Sequence, residues 1–298
     1  MAGALSRRLA ISGLRLLPRN AISRAAGRMA ALRLPASLRG PACRAFGRAV
    51  GVDFTEVRDP LGSFASLQDF FTRALREGAR AVDPARDAIV APCDGRWGEA
   101  GWITQGTLLQ LKGRPYSLAA LLGDGGDAAA FEGGLFSTFY LSPRDYHRFH
   151  APCAVRVDSA RHLPGSLWPV NRLGLEGVDG LFAENERICA FFALDPPGAG
   201  MLCIVAVGAT MVGKVRVGFD DLTTNQVGGT RGERRYGASG VHYAKGEEWG
   251  RFEFGSTLVL LLPPGGAELE IRPPGTKLRL GTRIGRLFPP GALGRPLA

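Results

Sequence analysis

Two of the four histidines in the chain, His147 and His150, lie in the segment Tyr140-Leu141-Ser142-Pro143-Arg144-Asp145-Tyr146-His147-Arg148-Phe149-His150. An HxxH spacing can bind a metal ion, and Cys153 follows three residues later. Zinc needs further ligands, however, and the neighbouring sequence supplies no complete set with standard spacing. No metal is therefore predicted. The two histidines either satisfy local hydrogen bonds or act as proton-transfer groups, for which imidazole is the usual side chain near neutral pH.

Two further residues have types and surroundings that suit catalysis with a histidine. Asp94 stands in the turn Pro92-Cys93-Asp94-Gly95 after the apolar pair Ile89-Val90, where it could accept a hydrogen bond from a histidine at a strand end. Ser256 follows Gly255, whose missing side chain leaves its carbonyl group open to attack. Asp, His and Ser can together activate a nucleophile, but a chain of 298 residues contains such a set by chance. These residues alone leave the chemistry open.

The elements that must position these residues are mainly short strands. From about residue 85 the chain changes to apolar, β-branched runs of strand length, separated by Gly and Pro. Strands are predicted over 134–141, 201–207, 214–217, 256–262, 269–272 and 278–284. Before them, Ser66 is a candidate N-cap for a helix with Leu67, Phe70, Phe71, Ala74 and Leu75 on one face and Gly78 just past its end.

Residues 1–50 form a separate leader. They contain ten Arg and no Lys, Asp or Glu, whereas residues 51–298 carry 27 basic and 27 acidic side chains. The leader segments 5–17, 21–34 and 37–50 are bounded or interrupted by Pro18, Pro35 and Pro41, and they mix Arg with apolar residues at helical intervals. They are typical of amphipathic helices on an anionic bilayer. A disordered basic arm and a mitochondrial transit peptide are the alternatives.

The whole-chain charge of +10 comes from this leader, so the body carries no net charge that would favour duplex nucleic acid. No nucleic-acid partner is predicted. The five cysteines include no CxxC pair, and a reducing compartment is expected. The chain is divided into an Arg-rich membrane-associating segment (1–50), a helical connector (51–84) and a β-rich catalytic domain (85–298).

Six blocks of sequence, in order, resemble the signatures of the phosphatidylserine decarboxylase family, and the Phe70-Phe71-x-Arg73-x-Leu75 helix is similar to the same family. The blocks are Pro92-x-Asp94-Gly95; Tyr140-Leu141-Ser142-Pro143-x-Asp145-Tyr146-His147-Arg148-x-His150-x-Pro152; Pro164-Gly165-Ser166-Leu167-x-Pro169-Val170-Asn171; Asn185-Glu186-Arg187; Val207-Gly208-Ala209-Thr210-x-Val212-Gly213; and Lys245-Gly246-x-Glu248-x-Gly250-x-Phe252, which leads into Gly255-Ser256-Thr257. Phe254 replaces the Leu usual in the closing motif, and Cys93 replaces a small residue such as Ala; neither change touches the Gly255–Ser256 bond.

The resemblance implies an α+β fold: a mainly antiparallel β catalytic domain with amino-terminal amphipathic helices. It also implies a proenzyme that makes its own cofactor. Asp94 would orient His150, and His150 would take the proton of Ser256 as that hydroxyl attacks the Gly255 carbonyl. Cleavage would leave a β chain (1–255) and an α chain (256–298) that begins with a pyruvoyl group derived from Ser256, and the two chains would stay associated.

The implied reaction is the decarboxylation of phosphatidylserine to phosphatidylethanolamine, a step of phospholipid biosynthesis catalysed by a carboxy-lyase. The pyruvoyl group would form a Schiff base with the serine amine of the lipid and accept the electrons released with carbon dioxide. His147 is expected near the substrate carboxylate or as proton donor. For Asn185, Glu186 and Arg187, a buried Glu–Arg pair that holds a loop and direct headgroup contact both remain open. His162 is expected near the pocket, and His242 at the surface.

Two other functions remain as alternatives. A Ser-His-Asp lipid ester hydrolase would keep Ser256 intact, and a membrane scaffold would keep the fold without processing. The expected location is peripheral, at the cytoplasmic face of a bacterial inner membrane, because no long organellar extension precedes the family-like region; the mitochondrial inner membrane is the alternative. Similar proteins form homodimers, and the sequence leaves the oligomeric state open.

Overall fold

The computed structural model describes residues 11–110, 113–195, 200–210, 214–226, 232–253 and 257–289. Its helices are α1 (residues 11–16), α2 (Arg19–Ala30), α3 (Ala36–Val50), α4 (Leu67–Phe71), α5 (Leu118–Leu122), α6 (Gly125–Ala129), α7 (Arg172–Gly177) and α8 (Leu181–Glu184). Its strands are β1 (Ala88–Val90), β2 (Gly95–Trp102), β3 (Thr107–Gln110), β4 (Arg114–Ser117), β5 (Leu135–Tyr140), β6 (Arg148–His150), β7 (Val155–Leu163), β8 (Arg187–Leu194), β9 (Met201–Val207), β10 (Val215–Val217), β11 (Gly232–Arg235), β12 (His242–Tyr243), β13 (Glu248–Phe252), β14 (Thr257–Leu262), β15 (Ala267–Leu269), β16 (Lys277–Leu278) and β17 (Arg283–Leu287).

The largest sheet runs in the order β11-β7-β8-β9-β14-β5-β2-β16, with β12 also paired to β7. Each of these pairings is antiparallel. Two smaller antiparallel sheets, β10-β13-β6 and β1-β17-β15, and the hairpin β3-β4 complete the strands. The α+β fold class with an antiparallel catalytic domain and amino-terminal helices is confirmed.

The core lies on both faces of the large sheet. Along β14, Leu258, Leu260 and Leu262 belong to one apolar cluster, and Val259 and Leu261 belong to the other. Successive strand residues point to opposite faces, so a strand covered on both sides is a continuous apolar run, as the sequence from 258 to 262 is. β14 is thereby fixed at the centre of the domain, immediately after the Gly255-Ser256 pair.

The described part of the leader is helical, as the amphipathic pattern predicted. It also packs on the body, which that pattern did not predict. Ile11 is buried in one of the two core clusters. The guanidinium of Arg19 lies 3.7 Å above the Trp168 ring, and the Asn20 amide donates to the Gly165 carbonyl at 2.9 Å. Pro41, which interrupts the predicted segment 37–50, lies inside α3. The residue before it is Gly40, which has no Cβ to clash with the proline ring.

Three sequence-based boundaries were wrong. The helix capped by Ser66 ends at Phe71 instead of continuing past Leu75. The strand expected at 269–272 ends at Leu269. The single strand expected over 278–284 is two strands in two different sheets, since the backbone turns at Gly281 with φ +86° and a side chain there would lie 2.5 Å from the Ala81 carbonyl oxygen. Local alternation does not reveal such a switch between sheets.

Among the residues that the structure describes, no helix combines the length and apolarity needed to cross a membrane.

Candidate active site

The site is built around a β-turn and the short strand β6. Ser142 and Asp145 are the first and last residues of the turn: the Asp145 amide donates to the Ser142 carbonyl at 2.8 Å, and the Ser142 amide donates to the Asp145 carboxylate at 2.7 Å. Pro143 stands at the second position, where its fixed φ suits a turn. The turn directs the chain inward, so that His147 is fully buried and His150 nearly so.

Strand β13 lies beside both histidines. It pairs antiparallel with β6 and places Glu248 opposite His150, and the Phe252 amide donates to the His147 carbonyl at 2.9 Å. The chain therefore passes His150 and then His147 on its way to residues 254–256. Gly255 and Ser256, the predicted cleavage site, lie outside the described residues.

His147 has one engaged ring nitrogen and one open one. Nδ1 lies 2.8 Å from the Asp145 carbonyl oxygen and therefore carries the proton, whereas Nε2 is buried with no hydrogen-bond partner among the described residues. The Phe71 ring packs on the imidazole at 4.0 Å between centroids. Burial, with the nearby positive charge of Arg73, lowers the pKa of His147 to about 3. At neutral pH this side chain is a neutral imidazole whose Nε2 can accept a proton.

His150 has both ring nitrogens engaged. Nδ1 donates to the Gly246 carbonyl at 2.9 Å, and Nε2 accepts from the Tyr146 hydroxyl at 3.1 Å. Burial lowers the pKa of His150 below its usual value, although the Gly246 carbonyl and the charges of Glu248 and Asp94 oppose this effect. His150 is thus also neutral at neutral pH, with its basic lone pair on Nε2.

Asp94 is buried in the turn between β1 and β2. Both carboxylate oxygens accept from the Arg80 guanidinium, and Oδ1 also accepts from the Leu280 amide at 2.9 Å. The structure records no direct hydrogen bond from Asp94 to His150, both of which it describes. The two are linked through the backbone, because the His150 amide donates to the Pro92 carbonyl at 2.7 Å.

The described residues on either side of the 254–256 segment are held firmly. The Glu253 carboxylate is buried and pairs with the Arg216 guanidinium and, at 3.6 Å, with the Lys214 ammonium. Thr257 is fully buried and paired to Tyr140 on one side and to Val207 on the other. The predicted cleavage site therefore joins an ion-paired strand end to the first residue of the central strand.

Thr257 and Glu253 each line a cavity, and α2 lines both cavities. The first is apolar, about 880 Å³, and is lined among others by Ile22, Met29, Phe71, Tyr140 and Thr257. The second is polar, about 550 Å³, and is lined by Glu253 and four cations, Arg24, Arg28, Lys214 and Arg216, with several neutral residues. Phe71, which lines the apolar cavity, also packs on His147, and an apolar pocket of this size suits a substrate with long hydrocarbon groups.

Comparison with known proteins identifies the family. The family model for phosphatidylserine decarboxylase matches residues 67–286. The chain belongs to the phosphatidylserine decarboxylase family. Three similar proteins, each named phosphatidylserine decarboxylase proenzyme, show the extent of the match. The one from Anaeromyxobacter sp. (strain K) is 43% identical over 93% of this chain and 98% of its own length. The one from Acidovorax ebreus (strain TPSY) is 42% identical over 94% and 97%, and the one from Myxococcus xanthus (strain DK1622) is 40% identical over 84% and 88%.

The family block Asn185-Glu186-Arg187 holds loops together in this structure, but not as a Glu–Arg pair. The Asn185 side chain accepts from the Trp168 amide and donates to the Trp168 and Gly208 carbonyls. Glu186 accepts from His162 at 2.8 Å and from the Asn225 amide at 2.8 Å. Arg187 donates to four backbone carbonyls, those of Ala120, Leu121, Ala183 and Asn185. His162 is a buried partner of Glu186, and the expected exposure of His242 is confirmed.

The sequence analysis did not predict three residues that contact the candidate site residues in this structure. Tyr146 contacts His150, Arg80 holds Asp94, and Arg73 donates to the turn before His147. Tyr146 and Arg73 stand inside the family-like blocks, so their positions were visible but their contacts were not. Arg80 lies outside those blocks, and nothing in its local sequence indicated a partner 14 residues away.

Proposed function

We propose that the chain is a proenzyme that processes itself and then decarboxylates phosphatidylserine to phosphatidylethanolamine. The family supports the reaction, since similar proteins over most of the chain are named for it. One structural observation carries the proposal furthest: the apolar cavity reaches Thr257, the residue bonded to Ser256, on the side where Phe71 packs on neutral His147. A lipid in that cavity would bring its headgroup close to the amino-terminal end of β14.

The proposed processing uses Asp94, His150 and Ser256. His150 Nε2 takes the Ser256 hydroxyl proton as Oγ attacks the Gly255 carbonyl carbon, and the C–N bond breaks to give an ester. β-Elimination then releases the Gly255 carboxylate and leaves dehydroalanine, which loses ammonia to water and becomes the pyruvoyl group. The neutral state of His150 supports its role as base, and Tyr146 would have to release Nε2 first. The charge of Asp94 would favour His150 while it holds the proton. A positioned base contributes about 10² to 10⁴ in rate.

The pyruvoyl group supplies an electron sink for decarboxylation, so that no further cofactor is required. The residues around its proposed position fit this chemistry: Phe71 lines the apolar cavity and packs on the ring of His147, whose Nε2 is buried with no hydrogen-bond partner among the described residues. His147 Nε2 carries no proton at neutral pH and so cannot donate one at first. In the proposed role it accepts a proton from the substrate amine and later delivers a proton to the product carbon.

The leader provides the proposed membrane contact. Six large apolar side chains of the described leader are exposed, among them Leu16 at 88%, Met29 at 71% and Leu32 at 64%. Met29 and Ile22 also line the apolar cavity, which therefore opens toward the exposed apolar side chains. Each Arg near an anionic surface adds about 1 kcal/mol of attraction. These features support a peripheral protein that takes its lipid from the bilayer, and the proposed location is the cytoplasmic face of a bacterial inner membrane.

The two chains made by cleavage would stay together. The α chain would contribute β14, which lies between β9 and β5 at the centre of the large sheet, and also β16 and β17, which pair with β2 and β1. Separating the chains would expose the apolar residues of β14 on both faces, at about 1.5 to 3 kcal/mol for each large side chain.

The test is lipid conversion by the purified full-length chain in detergent micelles that contain phosphatidylserine. We expect phosphatidylethanolamine and carbon dioxide in equal amounts, no product from Ser256→Ala, and neither cleavage nor product from His150→Ala. The hydrolase alternative predicts free fatty acid with the serine headgroup retained. Release of fatty acid by an uncleaved chain, or normal cleavage of the His150→Ala chain, would contradict the proposal.

A further inference from the structure

Three consecutive residues at the end of α4 contact the turn 142–145 and the histidine segment that follows it. The Phe71 ring packs on the His147 ring, the Thr72 carbonyl accepts from the Arg148 guanidinium at 2.9 Å, and the Arg73 guanidinium donates to the backbone of the turn. Beyond Phe71 the helical bonding pattern does not continue. The Thr72 carbonyl accepts from Arg148, and the Arg76 amide, which would reach that carbonyl in a longer helix, donates to the Glu56 carbonyl.

Arg73 shares an acceptor with His147. Its Nη2 donates to the Arg144 carbonyl at 2.8 Å and to the Asp145 carbonyl at 3.1 Å. The same Asp145 oxygen accepts from His147 Nδ1 at 2.8 Å. A carbonyl oxygen has two lone pairs, so both donors can bond to it at once. Arg73 and the imidazole are thus fixed to one atom.

Within the described part of the chain, no carboxylate forms an ion pair with the Arg73 guanidinium. The side chain is 4% exposed, and its Nε and Nη1 atoms are buried with no hydrogen-bond partner among the described residues. The buried carboxylate of Asp94 is already paired with the Arg80 guanidinium. Burial lowers the pKa of Arg73 to about 10, which still leaves it charged at neutral pH.

We propose that Arg73 is a positioning residue that acts on His147 through the Asp145 carbonyl and keeps its Nε2 atom unprotonated and free to accept a proton. The shared carbonyl requires His147 to carry its proton on Nδ1, and the adjacent guanidinium disfavours a second proton on the ring. The inference rests on the proposed function only in the use that catalysis makes of Nε2. The tautomer and the charge state of His147 can be tested without any turnover.

The charge that acts on the His147 ring lowers its pKa. From the segment after α4 the ring faces the Arg73 cation, and from α4 itself it faces the uncharged Phe71 ring. On its own turn the Asp145 carboxylate is engaged by the Ser142 amide, and β13 presents the Phe252 amide to the His147 carbonyl. Burial lowers the pKa of His147 most, the Arg73 charge lowers it further, and only the Asp145 carbonyl opposes them.

The first measurement needs no change at Arg73. In the uncleaved Ser256→Ala chain with isotope-labelled histidine, the four imidazoles give few enough signals for His147 to be assigned by comparison with a His147→Gln chain. The nitrogen chemical shifts are expected to show a proton on Nδ1 and none on Nε2 from pH 5 to pH 8. A His147 ring that carries its proton on Nε2 would overturn the proposal, whatever the Arg73 variants do.

The second measurement compares Arg73→Gln, Arg73→Lys and Arg76→Gln in the same background. Gln can still donate to the carbonyls but has no charge, so the pKa of His147 should rise by about one unit or more. Lys keeps the charge and should leave that pKa close to its starting value. Arg76 is exposed and donates to the Val57 carbonyl, away from the turn, so its variant should change nothing.

An unchanged His147 pKa in Arg73→Gln, or an equal rise in Arg76→Gln, would overturn the proposal. In the chain with Ser256 intact, the matching result is an acid limb of the decarboxylation pH profile that moves to higher pH in Arg73→Gln and not in Arg73→Lys. Because the imidazole signals are read from a chain that cannot process itself, a failure of the proposed decarboxylation would leave this test intact.

Discussion

His147 and His150 are separated by only two residues in an HxxH motif, yet their surroundings give them different capacities. His147 has an open Nε2 and lies against Phe71, whereas His150 is bonded at both nitrogens, to Gly246 and Tyr146. The open imidazole suits proton transfer with a substrate, and the bonded one suits a single, well-oriented proton transfer from a neighbouring hydroxyl. The proposed division between decarboxylation and self-processing follows from this contrast.

Both histidines are buried in the neutral form, so the stability of the protein should fall in acid. Their folded-state pKa values lie below the unfolded value of about 6.5, so below that pH the unfolded chain binds more protons and is favoured as pH falls. Between pH 6.5 and 5 the free energy of unfolding should drop by about 2 kcal/mol for His147 alone. Urea unfolding of the Ser256→Ala chain at both pH values measures this.

The control for that prediction is the pair His147→Gln and His242→Gln. The first removes a buried titrating group and should make stability less dependent on pH. The second changes a ring that is 60% exposed and should leave the dependence as it was. If His147→Gln and the parent lose equal stability in acid, His147 is not held neutral by the fold.

Two helices, α2 and α4, contribute side chains to the candidate site and to the cavities beside it. Phe71, the last residue of α4, packs on His147. α2 presents Ile22 and Met29 to the apolar cavity, and Arg24 and Arg28 to the polar one. α2 contacts Gly165 and Trp168, in the loop that the Asn185 side chain holds in place.

Asn185→Ala should destabilise the protein by roughly 3 kcal/mol. The fully buried amide makes three hydrogen bonds, to the Trp168 amide, the Trp168 carbonyl and the Gly208 carbonyl, and its loss leaves those groups unpaired. Chemical unfolding measures the effect, with Asn20→Ala as a control that removes one bond at a half-buried site. Equal small losses in the two variants would show that the Asn185 clamp is not a structural requirement.

The sequence predicted the elements better than their contacts. The run from 201 to 207 forms the predicted strand, because a short run of apolar and β-branched residues between glycines favours a buried strand over other structures. The stretch from 278 to 284 alternates equally well but is split, because Leu280 donates to Asp94 and Gly281 turns the chain. The site shows the same limit: the types and order of Asp94, His147 and His150 were evident, but the bond from Arg73 to the Asp145 carbonyl joins residues 72 positions apart.

At the scale of the whole molecule, charge and exposed apolar surface are segregated. The ten Arg of residues 1–50 account for the net charge, and the described leader contains six of the ten large apolar side chains found exposed in the described part of the chain. Residues 51–298 carry no net charge, and they bury β14 in the middle of the large sheet. A protein arranged this way can rest on a bilayer by its leader while its catalytic domain stays in water.

Replacing Leu16, Leu32 and Leu38 by Ser should weaken binding to vesicles at least tenfold. All three are more than half exposed, and inserting a Leu side chain into a bilayer is worth about 1.5 to 3 kcal/mol. Trp102→Ser and Ile271→Ser change exposed side chains outside the leader and serve as controls. Co-sedimentation with vesicles measures the binding, and equal losses from both sets would contradict a leader-specific membrane contact.

The contribution of the arginines to membrane binding can be measured separately from that of the exposed apolar side chains. Changing Arg15, Arg33, Arg44 and Arg48, all exposed, to Gln should reduce binding to anionic vesicles and its dependence on salt, while binding to zwitterionic vesicles changes little. Self-cleavage should continue at the parent rate, since these side chains lie outside the site. Unchanged binding to anionic vesicles would refute the contribution of the arginines.

Intact-mass measurement of the purified protein tests the central claim most directly, because it reads the cleavage site and the cofactor together. The account predicts two chains, residues 1–255 and 256–298, the shorter one with a pyruvoyl group and no free amino terminus, and a single uncleaved chain for Ser256→Ala. A single chain of 31.7 kDa with Ser256 unmodified, from a preparation that decarboxylates phosphatidylserine, would contradict it.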